Sequence, residues 1–212
     1  MLGRFVAVLL TILTAFSVLT VSVLRAASVD YKFSPIPQEA VLGTDVKAKE
    51  AEITYYLPYP GKILQDNTFW FVKALRDKIW LKLTVSPLRK MDLLLLFSDK
   101  RLAGSKILVE RQKTEIALST LGKGEKYLEE ASQLEAESRK EGVDTKSFLP
   151  KLANAALKHR LVIEEMLIFA PEDIKPKIIK VEDYSKNVYR QARDAMNSLG
   201  MSQIPKSPFD GD

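Results

Sequence analysis

The stretch "SPLRKMDLLLLF", Ser86–Phe97, decides the fold class. Serine is a favoured helix N-cap, and a proline just after it gives up only an N–H that has no partner at that position. The helix so opened reads through to Arg111. Leu93 to Phe97 is apolar on every side of it, so this turn is expected to be covered on more than one face. A helix enclosed in this way needs neighbours, and the flanking sequence supplies them with a helical period.

Upstream, a helix over 67–84 is expected, capped by Asp66 or Asn67. Val72, Leu75, Ile79 and Leu83 mark its apolar face, which Phe69, Trp70, Phe71 and Trp80 widen. Downstream, 114–140 carries Ala117, Leu121, Gly124, Leu128, Ala131 and Leu134 at spacings of four and three. Gly122 and Gly124 weaken that helix but admit a close neighbour. Gly142 stops it and Asp144 caps the next, 145–169, whose stripe is Leu149, Leu152, Ala156, His159, Ile163 and Met166. Pro150 falls in its first turns, where proline is tolerated. Past Ala170 and Pro171, a helix over 172–199 keeps Ile174, Ile178, Val181, Ser185, Val188, Ala192, Ala195 and Leu199 in near-heptad register, until Gly200. The expected fold is all-α: an antiparallel, up-and-down bundle of the last four helices, with the first packed along or across one end.

Before this lies "FVAVLLTILTAFSVLTVSVL", Phe5–Leu24, twenty residues without a charge between Arg4 and Arg25. As a helix it would span about 30 Å, the thickness of a bilayer core. Two readings stay open, a retained transmembrane anchor and a removed signal segment. A cut after Ala26 or Ala27 would place Leu24 or Arg25 three positions back, which makes a poor cleavage site. The division is then 1–25 anchor or signal, 26–54 linker broken by Pro35 and Pro37, 55–200 helical bundle domain, and 201–212 an aperiodic tail expected to be disordered. A short N-terminal overhang and a long C-terminal domain place that domain outside the cytoplasm, as a single-pass or a secreted protein.

Composition narrows the work the chain can do. Hydrophobic residues make up 46% and charged residues 28%, a globular balance. The absence of cysteine excludes disulfides, thiolate nucleophiles, zinc–thiolate sites and a lipidated N-terminal cysteine. Of 32 basic and 27 acidic residues, Arg4 and Arg25 flank the apolar run, so the remainder carries a mild, interspersed excess. That gives no basic stripe for nucleic acid, and leaves open a weak attraction to an anionic membrane surface.

The segment "YYLPYPG", Tyr55–Gly61, has two prolines that push Leu57 and Tyr59 toward extended backbone, and Pro60-Gly61 suits a type II turn. It reads as a stiff aromatic-proline arm whose Tyr55, Leu57 and Tyr59 pin the entrance of the bundle. The alternatives are a proline-rich ligand for a partner's groove and an exposed aromatic platform. Tyr55, Tyr56, Tyr59, Trp70, Arg76 and Trp80 are the candidate binding residues. Arg76 in "KALRDKI" would bond arm carbonyls or Asp99, or hold a ligand anion; Asp99, Lys100 and Arg101 read as a solvated face or such a pair.

From Tyr55 to Ala131 the chain resembles a bacterial family known as domain of unknown function 5667. The residues that carry the likeness are the LPYPG arm, the "KALRDKI" helix, and the threonine-x-serine-proline link into a leucine-rich helix ending near "DKRLA". The departure is Lys62-Ile63-Leu64-Gln65, where relatives more often read Ile-Leu-Pro. The resemblance implies a helical domain behind a signal or membrane segment, facing outside the cytoplasm, in some relatives attached to anti-sigma-factor-like proteins. It implies no activity and no catalytic residue.

His159 is the only histidine, on an apolar stripe with Glu164 and Glu165 nearby. One histidine cannot build a ferritin-like di-metal site, and a hydrogen-bonded seam histidine is the expectation. No phosphate loop, no His–Ser or His–Cys dyad and no zinc spacing is present, and no loop gathers the glutamates of 125–141 for calcium. No cofactor, metal or catalytic residue is expected. The favoured reading is a non-enzymatic, membrane-anchored, extracytoplasmic interaction module that binds another envelope protein, using glycine-lined and aromatic faces of the first three helices. A ligand, metal or stress sensor and a carboxylate-based hydrolase are the alternatives.

Overall fold

The computed structural model describes residues 53–209, together with Thr14, Ser17 and Val18. The apolar run 5–24 otherwise lies outside the described residues, as do 25–52 and 210–212. Among the described residues there is no strand, and no helix is long and apolar enough to cross a membrane. Five helices form the body: α1 Trp70–Leu83, α2 Pro87–Glu110, α3 Thr114–Lys140, α4 Leu149–Phe169 and α5 Lys175–Ser198.

Local chemistry sets the ends. Ser86 is extended ahead of Pro87, and its carbonyl accepts the Lys90 N–H at 2.9 Å, although its hydroxyl makes no cap. Gly142, at φ 87°, closes α3; the Val143 N–H returns to Ser138 O at 3.0 Å, which uses a left-handed residue to satisfy a free carbonyl. α1 begins at Trp70 rather than 67, because Asn67 Oδ1 accepts the Phe69 N–H at 2.9 Å in a turn and Asp66 is drawn away to Lys113 at 2.6 Å.

α2 packs on α3 and α4 on α5, as two antiparallel hairpins. Polar links fix how the hairpins lie together. Lys151 meets Asp92 at 2.6 Å near the starts of α4 and α2, and Lys106 meets Glu165 at 2.5 Å near their ends. α2 and α4 are therefore parallel neighbours. Ser132 and Gln191, 2.9 Å apart, join α3 to α5 in the same sense. α3 and α4 touch little and lie diagonally, where an up-and-down order would have paired them. The link 141–148 is long enough to cross the bundle end, and Thr145 fastens it there by donating to Glu135 Oε1 at 2.6 Å.

The core is in two parts. Met91, Leu95, Leu128, Leu149, Leu152 and Val188 belong to one cluster, and Leu102, Leu108, Leu121, Ile163, Met166 and Ile178 to the other. A polar layer containing Ser98, Asp99, Glu125 and His159, all buried, lies between them. A fully buried leucine contributes roughly 1.5–3 kcal/mol, so these clusters dominate the stability.

α2 is enclosed, as is α4. Leu93, Leu94, Leu95 and Phe97 are buried and Leu96 is half-buried. Besides α3 and α4, it is covered by α1 and by the segment 53–69. Ile53 joins the first cluster, Leu57 packs on the second, and Pro60 and Leu64 lie over Gly104. α1 then returns alongside α2. The aperiodic run 201–209, expected as a disordered tail, packs as well: Phe209 is buried under Arg160 at 4.1 Å, and Tyr189 donates to Pro205 O at 2.9 Å. Met201 and Ile204 pack on the first cluster beside it, and periodicity carries no trace of these contacts.

The largest departure from the sequence reading is α1. Its inward residues are Trp70, Lys73, Ala74, Asp77, Trp80, Leu81 and Thr84, and Asp77 alone is fully buried. Val72, Leu75, Ile79 and Leu83, expected to face the core, are exposed. α1 is apolar around most of its girth, so periodicity alone could not choose its inner side; aromatic and charged contacts chose it.

Candidate functional site

The inner face of α1 is held by rings and cations. Trp80 sets its edge on Phe97 with centroids 6.1 Å apart, and Phe97 does the same with Tyr127 at 6.2 Å. Arg101, largely buried, lies 4.4 Å over the Tyr127 ring and 5.9 Å from the Trp70 ring. Lys73 sits 4.9 Å over Trp70 and donates to Pro60 O at 2.6 Å and Ile63 O at 3.2 Å. Burial, reinforced by neighbouring Lys100, Arg76 and Arg101 and opposed by Asp77, lowers the Lys73 pKa to about 8. Lys73 thus makes the carbonyl contacts expected of Arg76. Arg76 instead pairs with Asp77 at 2.7 Å.

The outer face is a continuous apolar strip. Phe71, Val72, Leu75, Ile79 and Leu83 are exposed, Leu75 by 56%, and Phe69 and Val85 prolong the strip beyond the helix ends. The other exposed side chains on α1 are Lys78 and Lys82. Asp77, the sole acid of α1, points inward. Isolated apolar side chains on a surface are ordinary, but a strip along a whole helix makes a candidate contact surface.

At the bundle axis, His159 is completely buried between two carboxylates. Nδ1 lies 2.6 Å from Glu125 Oε1 on α3, and Nε2 lies 3.0 Å from Asp99 Oδ1 on α2. Both ring nitrogens face acceptors, so the doubly protonated ring satisfies both. Burial alone would push the pKa down; the Glu125 charge, the two hydrogen bonds and the Asp99 charge outweigh it and raise it to about 9. Tyr55 donates to Asp99 Oδ2 at 2.7 Å, linking the N-terminal segment to α2, α3 and α4. Burial, with the Asp99 charge and hydrogen bond, raises the Tyr55 pKa and keeps it a donor. Glu125 Oε2 is buried without a hydrogen-bond partner. Beside this layer Ser98 donates to Gly124 O at 2.8 Å, which brings α2 and α3 close.

The carboxylates stand on opposite edges of the imidazole, so they do not converge on a common ion. Among the described residues no group of three acidic or histidine side chains is placed to hold a metal. Of the candidate residues, Tyr56 and Tyr59 are exposed, Tyr56 by 83%; Tyr55, Trp70, Arg76 and Trp80 are half-buried supports of α1 and its approach. The glycines expected to line a contact face divide: Gly104 and Gly124 serve internal packing, and Gly122 has open space beside it. Glu125 is the functional-looking residue that sequence reasoning missed, and Asp99, read as a solvated charge or a partner for Arg76, meets His159 and Tyr55 instead. The available signal was a carboxylate in a seam, Glu125 between Leu121 and Leu128.

Residues 62–173 match the family described as Domain of unknown function (DUF5667). The chain belongs to this family. The match begins just after the LPYPG sequence and takes in α1 to α4, so it includes the outward strip of α1 and all of Asp99, Glu125 and His159. α5 and Tyr55 lie outside the span that defines the family. No curated protein and no solved structure matches the chain.

Proposed function

We propose that this member of the family is a non-enzymatic helical interaction module of the cell envelope. The apolar run 5–24 holds it at the membrane, and its bundle lies outside the cytoplasm. The bundle is the scaffold, and the surface made by residues 53–69 and α1 is what it presents. The observation that carries this reading is the outward apolar strip of α1, built where the opposite orientation would have buried it. The buried histidine points the same way, because its carboxylates are engaged with the ring and open onto no cleft. Another envelope protein is the partner assigned to the tyrosine edge, Tyr56 and Tyr59. Such rings offer large contact area with a polar end, as protein interfaces favour. Photo-crosslinking from position 56 in intact cells tests this. A discrete adduct lost on Tyr59→Ala supports it, and a chain that remains uncrosslinked at 56 while folded contradicts it.

A further inference from the structure

We propose that the outer strip of α1 is a lipid-contacting face that lays the domain flat on an anionic membrane surface. The inference rests on the reading of the chain as membrane-held, and it names the occupant of a surface which that reading leaves open. The strip has the composition of an interfacial helix: Phe71, Val72, Leu75, Ile79 and Leu83 on one side of a single helix, flanked by Lys78 and Lys82. Phe69 and Val85 continue it past both ends. Lysine stems can lie along the acyl boundary while their ammonium groups reach the lipid phosphates. Any acid on this face would oppose that contact, and the one acid of α1, Asp77, is turned inward against Arg76.

Charge also decides against a second copy. A two-fold contact through this strip would bring Lys78 and Lys82 of both copies into one interface with no α1 carboxylate on that face to offset them. Shape agrees, because a lone helix on the outside of α2 is convex and a surface with a flat boundary accommodates it. Reach agrees as well. Residues 25–52 span at most about 100 Å even when fully stretched, so a chain held by 5–24 keeps α1 tethered within that distance of the bilayer.

The absence of cysteine makes the test direct. Full-length Leu75→Cys carries a polarity-sensitive fluorophore, and Ile179→Cys, an exposed apolar position on α5, carries the same label as the control. Both are reconstituted into vesicles of phosphatidylcholine alone or with one part in three of phosphatidylglycerol. The expected result is a blue-shifted label at 75 that brominated lipid quenches and aqueous iodide does not, in the anionic vesicles only. The label at 179 stays accessible to iodide throughout. Each lysine near an anionic surface is worth a factor of roughly five, so Lys78→Gln with Lys82→Gln lowers the docked-to-undocked ratio about 25-fold. The inference is overturned if a vesicle-bound chain shows equal iodide quenching at 75 and 179, or if the lysine pair changes nothing. Protection of 75 in native envelopes but not in vesicles also overturns it and assigns the strip to a protein. A chain that fails to float with either vesicle defeats the membrane-held reading itself. Matching thermal melts of labelled and unlabelled chains show that the variants are folded.

Discussion

His159→Leu should be among the most damaging single substitutions in the domain. Leucine fits the size of the site, so little of the cost comes from an empty space. The cost comes from Asp99 Oδ1 and Glu125 Oε1, which lose their buried partner while Glu125 Oε2 already lacks one. Breaking a buried charge pair from one side costs about 3–5 kcal/mol. In a domain of this size that lowers Tm by roughly 6–20 °C. Urea unfolding reads the loss twice, by far-UV circular dichroism for the bundle and by fluorescence of Trp70 and Trp80 for α1. Adding Asp99→Asn and Glu125→Gln to the same chain should restore part of the stability, because neutral amides are cheaper to bury than unpaired carboxylates. The pH dependence carries the same signature. The folded histidine titrates near 9, above its unfolded value near 6.5. Its contribution is complete below 6.5 and is lost as pH rises through 9, at about 1.4 kcal/mol per pH unit. Lys73, lowered to about 8, acts in the opposite sense only above that pH, so the window from 6.5 to 8 isolates the histidine. A loss below about 1 kcal/mol for His159→Leu, or a flat profile across that window, would refute the account of this layer.

Three further outcomes follow from the packing. Gly124→Ala places a methyl 3.1 Å from Arg101 Cβ and 3.4 Å from the backbone of Ser98 and Leu102, so it should cost about 1–3 kcal/mol by urea titration. Trp80→Ala should cost about 3 kcal/mol or more, because the ring packs edge-on to Phe97, whereas Leu75→Ser should stay within about 0.5 kcal/mol. Phe209→Ala should free the C-terminal run, seen as faster amide exchange in residues 204–209, with a stability loss of about 1–3 kcal/mol.

Most of the fold is legible in spacing. The stripes read along α3 and α4 are buried, from Ala117 through Leu128 and from Leu149 to Met166, although α4 is buried on its other sides as well, at Ala153, Leu157 and Leu161. The all-round apolar turn Leu93–Phe97 announced a helix covered on several sides. Three features were hidden. α1 has two apolar sides, and the choice between them rests on Lys73, Arg101 and Tyr127, contacts distant in sequence. The diagonal placement of α3 and α4 depends on how the link 141–148 crosses, which helical periodicity does not encode. Asp99 read as a solvated charge or a partner for Arg76, and Glu125 drew no notice in its seam; only the third dimension brings them to one imidazole. Val72, Leu75, Ile79 and Leu83 were therefore placed in the right helix and on the wrong side of it.

That side is open to direct measurement. Single cysteines at neighbouring positions of α1, Leu75→Cys and Ile79→Cys against Ala74→Cys and Leu81→Cys, report it through their rates of maleimide modification in the detergent-solubilised full chain. The structure predicts rapid labelling at 75 and 79 and slow labelling at 74 and 81. Fast labelling at 74 and 81 with protection at 75 and 79 would bury the strip and remove the surface on which the proposed function rests.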